Sequence, residues 1–99
     1  MSLESVTDTL RAKIGTGGGF GRSVKFDFGE DGLIRIDDRT SPATVDNEDG
    51  YADCTIRVSL SDFKDIATGK QNAQMAFMTG KLKIHGDMSV ALKLGSILD

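Results

Sequence analysis

Apolar positions recur along this chain with two different periods, and the switches between them mark out the elements. Leu3, Val6, Leu10 and Ile14 are spaced by three and four residues, which predicts an amphipathic first helix over 3–14. Gly15 ends it, and Thr16 to Gly21, with four glycines in six residues, is expected to be a flexible connector. The period then falls to two. Val24, Phe26 and Phe28 alternate with Lys25 and Asp27 as in a strand with one wet face. Gly29-Glu30-Asp31-Gly32 reads as a tight turn into a second strand, Leu33 to Asp37, closing a hairpin. A weaker third strand is expected between Ala43 and Glu48, with Pro42 at its start or edge. The fourth strand is the clearest, with Ala52, Cys54, Ile56, Val58 and Leu60 on one face and Asp53, Thr55, Arg57 and Ser59 on the other.

Helical spacing returns after it. Ser61 is expected to cap a helix over 62–68, with Phe63, Ile66 and Ala67 facing inward and Gly69 as its stop. Asn72 is expected to cap a second short helix, Ala73 to Thr79, in which Met75, Ala76, Phe77 and Met78 crowd together before Gly80. Lys81 to His85 forms a fifth strand with Leu82 and Ile84 inward, and Asp87 caps a last helix. That last helix is over-apolar: Met88, Val90, Ala91, Leu92, Leu94, Ile97 and Leu98 leave only a narrow polar stripe of Ser89, Lys93 and Ser96. Its surplus face must meet more protein, a second chain, a membrane surface or a ligand.

With 99 residues, residues 1–99 are expected to form a single domain. No apolar run approaches the roughly 18 residues of a membrane-spanning helix, and the N-terminus lacks the order of a signal peptide. A lone cysteine, Cys54, suits a reducing compartment, so a cytoplasmic location is the expectation. The net charge of −3 is uneven, since residues 1–49 carry ten acidic against six basic side chains and residues 50–99 five against six. The acidic surplus falls on expected turns and wet strand faces, and no basic block offers a nucleic-acid footprint.

Catalytic and metal chemistry finds little support. The glycine-rich stretch has Thr16 where a P-loop needs glycine and Arg22 where it needs lysine. It also leaves a helix and enters a strand, the reverse of a phosphate-binding loop. Cys54 is expected inward and the single His85 outward, which separates a Cys–His pair. No second cysteine or histidine completes a metal site, and Asp46-Asn47-Glu48-Asp49-Gly50 lacks a calcium loop's closing glutamate. Lys70, Lys81, Lys83 and Lys93 read as solvated charges, with attraction of an anionic headgroup as the alternative. What the chain does offer is a cluster of flexible and aromatic apolar side chains, Met75, Phe77, Met78 and Met88, that fits either core filling or an adaptable pocket.

An ordered series of segments over 52–94 decides between those two. Ala52-Asp53-Cys54-Thr55-Ile56, Ser61-Asp62-Phe63, Thr68-Gly69-Lys70 with Asn72, Ala76-Phe77-Met78, Gly80-Lys81-Leu82-Lys83-Ile84, Gly86-Asp87-Met88 and Ala91 with Lys93-Leu94 together resemble the sterol carrier protein type-two domain. This is also called the nonspecific lipid-transfer domain, and residues 24–37 look like the hairpin of its short bacterial members. The resemblance implies an α+β fold: a five-stranded, mostly antiparallel sheet covered on one face by helices and enclosing an apolar tunnel. It implies non-enzymatic intracellular binding and transfer of a fatty acyl chain, acyl-CoA, phospholipid or sterol, with no cofactor, no metal and no catalytic residue. Phe77 and Met78 match tunnel-lining positions of the family. Phe63, Ile66, Met75, Met88 and Leu92 are added to the lipid-binding set from their periodicity.

The expected partners are a lipid or acyl-CoA ligand and a transient membrane or acceptor protein, with a monomer favoured over a dimer. Peroxisomal members of the family end in a targeting tripeptide that Ile97-Leu98-Asp99 does not supply, and larger relatives carry a further C-terminal segment over the pocket mouth. An empty pocket of about 300 Å³ would cost roughly 7 kcal/mol at about 24 cal/mol per Å³. Collapse of the methionine-lined walls or retention of a ligand is therefore expected. The alternative function is a protein-interaction module, for dimerisation or as an accessory to an enzyme, that uses the apolar last helix.

Overall fold

The computed structural model describes residues 3–14, 21–40 and 43–98, the last five for their backbone alone. The expected glycine-rich connector and Pro42 therefore fall largely outside the described residues, as do the side chains of Leu94, Ile97 and Leu98. The elements run α1 (Leu3–Ile14), β1 (Ser23–Asp27), β2 (Leu33–Asp37), β3 (Thr44–Asp46), β4 (Cys54–Val58), α2 (Leu60–Ala67), α3 (Ala73–Met78), β5 (Leu82–Gly86) and α4 (Met88–Leu98). The architecture is α+β. The five strands form one sheet in the order β3-β2-β1-β4-β5, antiparallel throughout except for the parallel pair β1–β4.

Register explains why one face is greasy. Val45, Ile36, Val24 and Cys54 lie in one cross-strand row that ends at Gly86. Ile34, Phe26, Ile56 and Ile84 form the next row, and Val58 pairs with Leu82 beyond it. Period-two alternation therefore stacks these apolar positions on the same side, while Leu33, paired with Asp27, falls on the other. The opposite face carries ion pairs: Arg35 with Asp46 at 3.4 Å, Lys25 with Asp49 at 2.8 Å, and Arg57 with Asp27 at 3.6 Å. Asp46 and Asp49 are thus spent on a turn and the sheet face, with Asp46 also accepting from the Glu48 N–H at 3.1 Å.

Helix α1 packs over the β3 edge, burying Val6, Leu10 and Ile14 in the core. Arg11 fastens it by donating from Nε and Nη2 to the Val45 carbonyl at 3.1 and 2.8 Å. The β1–β2 turn is one 3-10 turn over Gly29–Asp31; Gly29, its first residue, and Gly32, just after it, take φ of 66° and 104°, values open to glycine and strained for other residues. At the other edge, α3 packs on β5, and α4 lies against β4, β5, β1 and α1.

Helix α2 begins earlier than Ser61 would have it. Ser59 is the cap, and its Oγ accepts the Asp62 N–H at 3.0 Å. Starting at Leu60 lets that residue pack on the core beside Phe63 and Ile66, so the last alternating position of the strand pattern becomes the first of the helix.

Candidate functional site

Three short elements carry the seven residues named from sequence, and the fold divides them into two groups. Phe63 and Ile66, on α2, are buried in the core. The Phe63 ring sits 4.7 Å from Phe26 and 5.3 Å from Phe28, tilted at 52° and 50°, so α2 is held by an aromatic cluster. Met75, Phe77, Met78, Met88 and Leu92 lie at the surface. Their exposures of 56%, 41%, 70%, 45% and 73% are high for such large apolar side chains, and they come from two helices that both flank β5.

Local chemistry fixes α3 in this pose. The Asn72 Oδ1 accepts the Gln74 and Met75 N–H groups at 2.8 and 3.1 Å, which starts the helix. At its end Gly80 takes φ of 80°, its N–H reaches the Phe77 carbonyl at 3.2 Å, and the Lys81 N–H reaches the Ala76 carbonyl at 2.9 Å. That is a Schellman cap, and Gly69 closes α2 in the same way. Between the caps only Ala76 is buried, because the smallest side chain lets the helix approach β5 closely. The long side chains on either side of it are turned away from the sheet.

The start of α4 is held by a polar knot at the ends of β1, β4 and β5. Asp87 accepts from the Ser89 N–H at 3.0 Å and its hydroxyl at 2.6 Å, while the Asp87 N–H donates to the Asp53 carbonyl at 3.1 Å. The Asp53 carboxylate accepts the Ser23 N–H at 2.8 Å, the Ser23 hydroxyl at 3.1 Å and the Tyr51 hydroxyl at 2.7 Å. The Ser23 N–H bond and the Tyr51 hydroxyl hold this carboxyl below the usual aspartate range. Arg39 lies 5.4 Å over the Tyr51 ring and pairs with Asp37 at 2.9 Å. From α4, Val90 enters the core and Ala91 packs on it, which leaves Met88 and Leu92, one helical turn apart, facing out.

Sequence reasoning missed a groove beside this surface. Asp27, Phe28, Gly29, Arg57, Val58, Ser59, Gly80, Lys81 and Lys83 line an open depression of about 390 Å³ where β1 and β4 end and β5 begins. Arg57 and Lys83 face each other across β4 and β5, a pairing set by long-range register and invisible to local periodicity. Cys54 is buried on the inner face, and burial pushes its thiol pKa up. His85 is exposed and pairs with Thr55 on the outer face, so the two cannot meet. Among the described residues no three His, Cys, Asp or Glu side chains gather as a metal site, and no helix is long and apolar enough to cross a membrane.

Comparison with known proteins converges on one family. The human sterol carrier protein 2 is 49% identical over 55 residues, 56% of this chain and 10% of its own length. The peroxisomal multifunctional enzyme A of Dictyostelium discoideum is 61% identical over 44 residues, 44% of this chain and 10% of its own. The chain thus spans about a tenth of the length of the curated relatives it matches. Among solved structures, the apo sterol carrier protein 2 of Yarrowia lipolytica superposes with a TM-score of 0.77 at 24% identity, covering 94% of this chain and 86% of that one. The palmitated SCP2L2 of Aedes aegypti superposes at 0.73 with 20% identity, covering 99% and 95%. These likenesses establish the shared fold. The SCP-2 sterol transfer family model matches residues 2–99, nearly the whole chain, and the chain therefore belongs to that family.

Proposed function

We propose that residues 1–99 act as one lipid-binding domain, which takes up the apolar part of a fatty acyl chain, acyl-CoA, phospholipid or sterol and carries it without chemical change. The observation that carries this reading is the outward cluster of Met75, Phe77, Met78, Met88 and Leu92 beside a buried apolar core. Such surface is unfavourable in water unless something covers it. An apolar chain would lie along these five, with Phe63 and Ile66 as the floor reached when α4 moves outward. Flexible methionines suit a site that closes on itself when vacant, which avoids the cost of a standing cavity. Family membership and the palmitated state of the Aedes aegypti protein support a long acyl chain as cargo. A single thiol, buried, supports a cytoplasmic setting.

The magnitude is testable. Ten buried methylenes at about 0.8 kcal/mol each give roughly 8 kcal/mol, which corresponds to a dissociation constant of about 1 μM. Titration of a fluorescent fatty acid should reach that range, and each methylene removed from a competitor should weaken displacement roughly fourfold. Met78→Asp and Leu92→Asp should each abolish uptake without loss of fold. Absence of uptake at micromolar concentration, or uptake indifferent to both substitutions, would sink the reading.

The 73% exposure of Leu92 on α4 also favours a second reading, in which that helix is an interface for a second copy or an enzyme partner. Sedimentation separates them, since an interface requires a mass that rises with concentration and falls back in Leu92→Asp.

A further inference from the structure

Sulfur is distributed unevenly over this fold. The sequence holds four methionines, one cysteine and no tryptophan. Met1 lies outside the described residues, and the other three, Met75, Met78 and Met88, are all exposed, Met78 most of all at 70%. Among the described residues the buried core is built from Val, Leu, Ile, Phe and Ala with Cys54, and holds no methionine. Gap-filling inside a core, the ordinary use of methionine, therefore does not describe these three. Cys54 is buried on the inner face of β4, so an oxidant in solution meets the thioethers of α3 and α4 before it meets the thiol.

Met75 and Met78 are three residues apart on α3, hence neighbours on its surface, and Met88 opens α4, which packs against the same strand β5. Ala76 is the buried residue of α3 and Val90 the core residue of α4, so a change at the methionine sulfurs leaves the contacts that hold both helices intact. Oxidation to sulfoxide turns a flexible apolar thioether into a polar, chiral group. In the vacant protein the new oxygen stays in water. Beneath an acyl chain it has no hydrogen-bond donor, and burying it there is unfavourable.

We propose that Met75, Met78 and Met88 are oxidation sites through which a peroxide blocks uptake of the apolar cargo while the fold stays intact. The inference rests on the carrier reading and adds its regulation. In each step one peroxide oxygen bonds to the methionine Sδ, the O–O bond breaks, and the second oxygen leaves as water with both protons. Sulfur gives up two electrons and the peroxide takes them. A methionine sulfoxide reductase supplied with a dithiol reverses the step, giving thioether, disulfide and water. Seated cargo covers the same sulfurs, so the vacant protein is the form that oxidises and the block falls on loading.

Treatment of the full chain with hydrogen peroxide tests it. Peptide mass mapping should place one added oxygen on each of Met75, Met78 and Met88 and none on Cys54, with the folded circular dichroism signal retained. Affinity for a fluorescent fatty acid should fall about tenfold per sulfoxide. It should return after treatment with both methionine sulfoxide reductases, one for each epimer, and dithiothreitol. Saturating palmitate added before the peroxide should slow oxidation of all three. The triple substitution Met75→Leu, Met78→Leu and Met88→Leu, compared only with itself, should show the same affinity before and after peroxide. Reductase rescue of the wild type decides the question whatever affinity that variant has. Uptake that survives full oxidation, loss of uptake through unfolding, failure of the reductases to restore it, or equal oxidation with and without palmitate would overturn the switch and leave the carrier standing. Untreated protein that takes up no probe refutes the carrier, and the switch with it.

Discussion

Replacing Asp53 by alanine should loosen the junction that positions α4. Its carboxylate receives two bonds from Ser23, at 2.8 Å from the N–H and 3.1 Å from the hydroxyl, and Ser23 is completely buried. The Tyr51 bond counts for little, because Tyr51 is 66% exposed. The Ser23 hydroxyl keeps its bond from the residue-53 N–H, at 2.9 Å, after the side chain is removed. The principal loss is therefore a buried N–H deprived of a charged acceptor, about 2–3 kcal/mol. In a domain of this size that lowers the melting temperature by roughly 10–20 °C.

The effect depends on pH in a stated direction. The carboxyl's folded pKa lies below the ordinary value of 3.8, so its contribution is present above that pH and disappears as the pH falls through the folded pKa. Thermal unfolding of wild type and Asp53→Ala, followed by circular dichroism, should show the full gap at neutral pH and a narrowing gap below about pH 4. Ser23→Ala in both backgrounds completes a double-mutant cycle. A loss below about 0.5 kcal/mol, within the range of an ordinary surface substitution, or a gap independent of pH, would refute the assigned role.

Further outcomes follow from other parts of the fold. Gly86→Ala places a Cβ 2.5 Å from the Asp53 carbonyl oxygen at φ of 101°, whereas Gly69→Ala meets only open space at φ of 81°. Chemical denaturation should therefore find Gly86→Ala the more damaging, with Gly69→Ala costing about 1 kcal/mol. Ser59→Ala removes a helix cap and should cost about 1 kcal/mol, while Ser61→Ala should stay within about 0.5 kcal/mol. Cys54 is buried with its thiol pKa raised, so a thiol reagent at neutral pH should leave it unlabelled in the folded protein and label it fully in denaturant.

Strand and helix positions were legible wherever one residue in two, or three and four, had to be apolar. Cys54, Ile56 and Val58 face inward as alternation requires, as do Val6, Leu10 and Ile14 by helical spacing. The order β3-β2-β1-β4-β5, with β1 parallel to β4, was not legible, since it depends on which strands meet across long intervals. The start of α2 was misplaced at Ser61 because alternation carried Ser59 and Leu60 into the strand, although either serine is able to cap. Packing of Leu60 and the contact from the Ser59 Oγ to the Asp62 N–H distinguish them.

The candidate site was only half legible for a similar reason. A run such as Met75-Ala76-Phe77-Met78 announces apolar character without saying which side chain faces the sheet. Ala76 takes that place, and the larger three are left outside. The Arg57–Lys83 pairing that builds the groove belongs to sheet register and leaves no local trace.

The claim that an apolar chain binds along α3 and α4 is tested most directly by the methionine methyl groups. In a methyl-labelled sample titrated with palmitate, the resonances of Met75, Met78 and Met88 should shift together and saturate with the binding curve. Palmitate binding that leaves all three unmoved would contradict the account, as would their failure to shift at any palmitate concentration below its own aggregation.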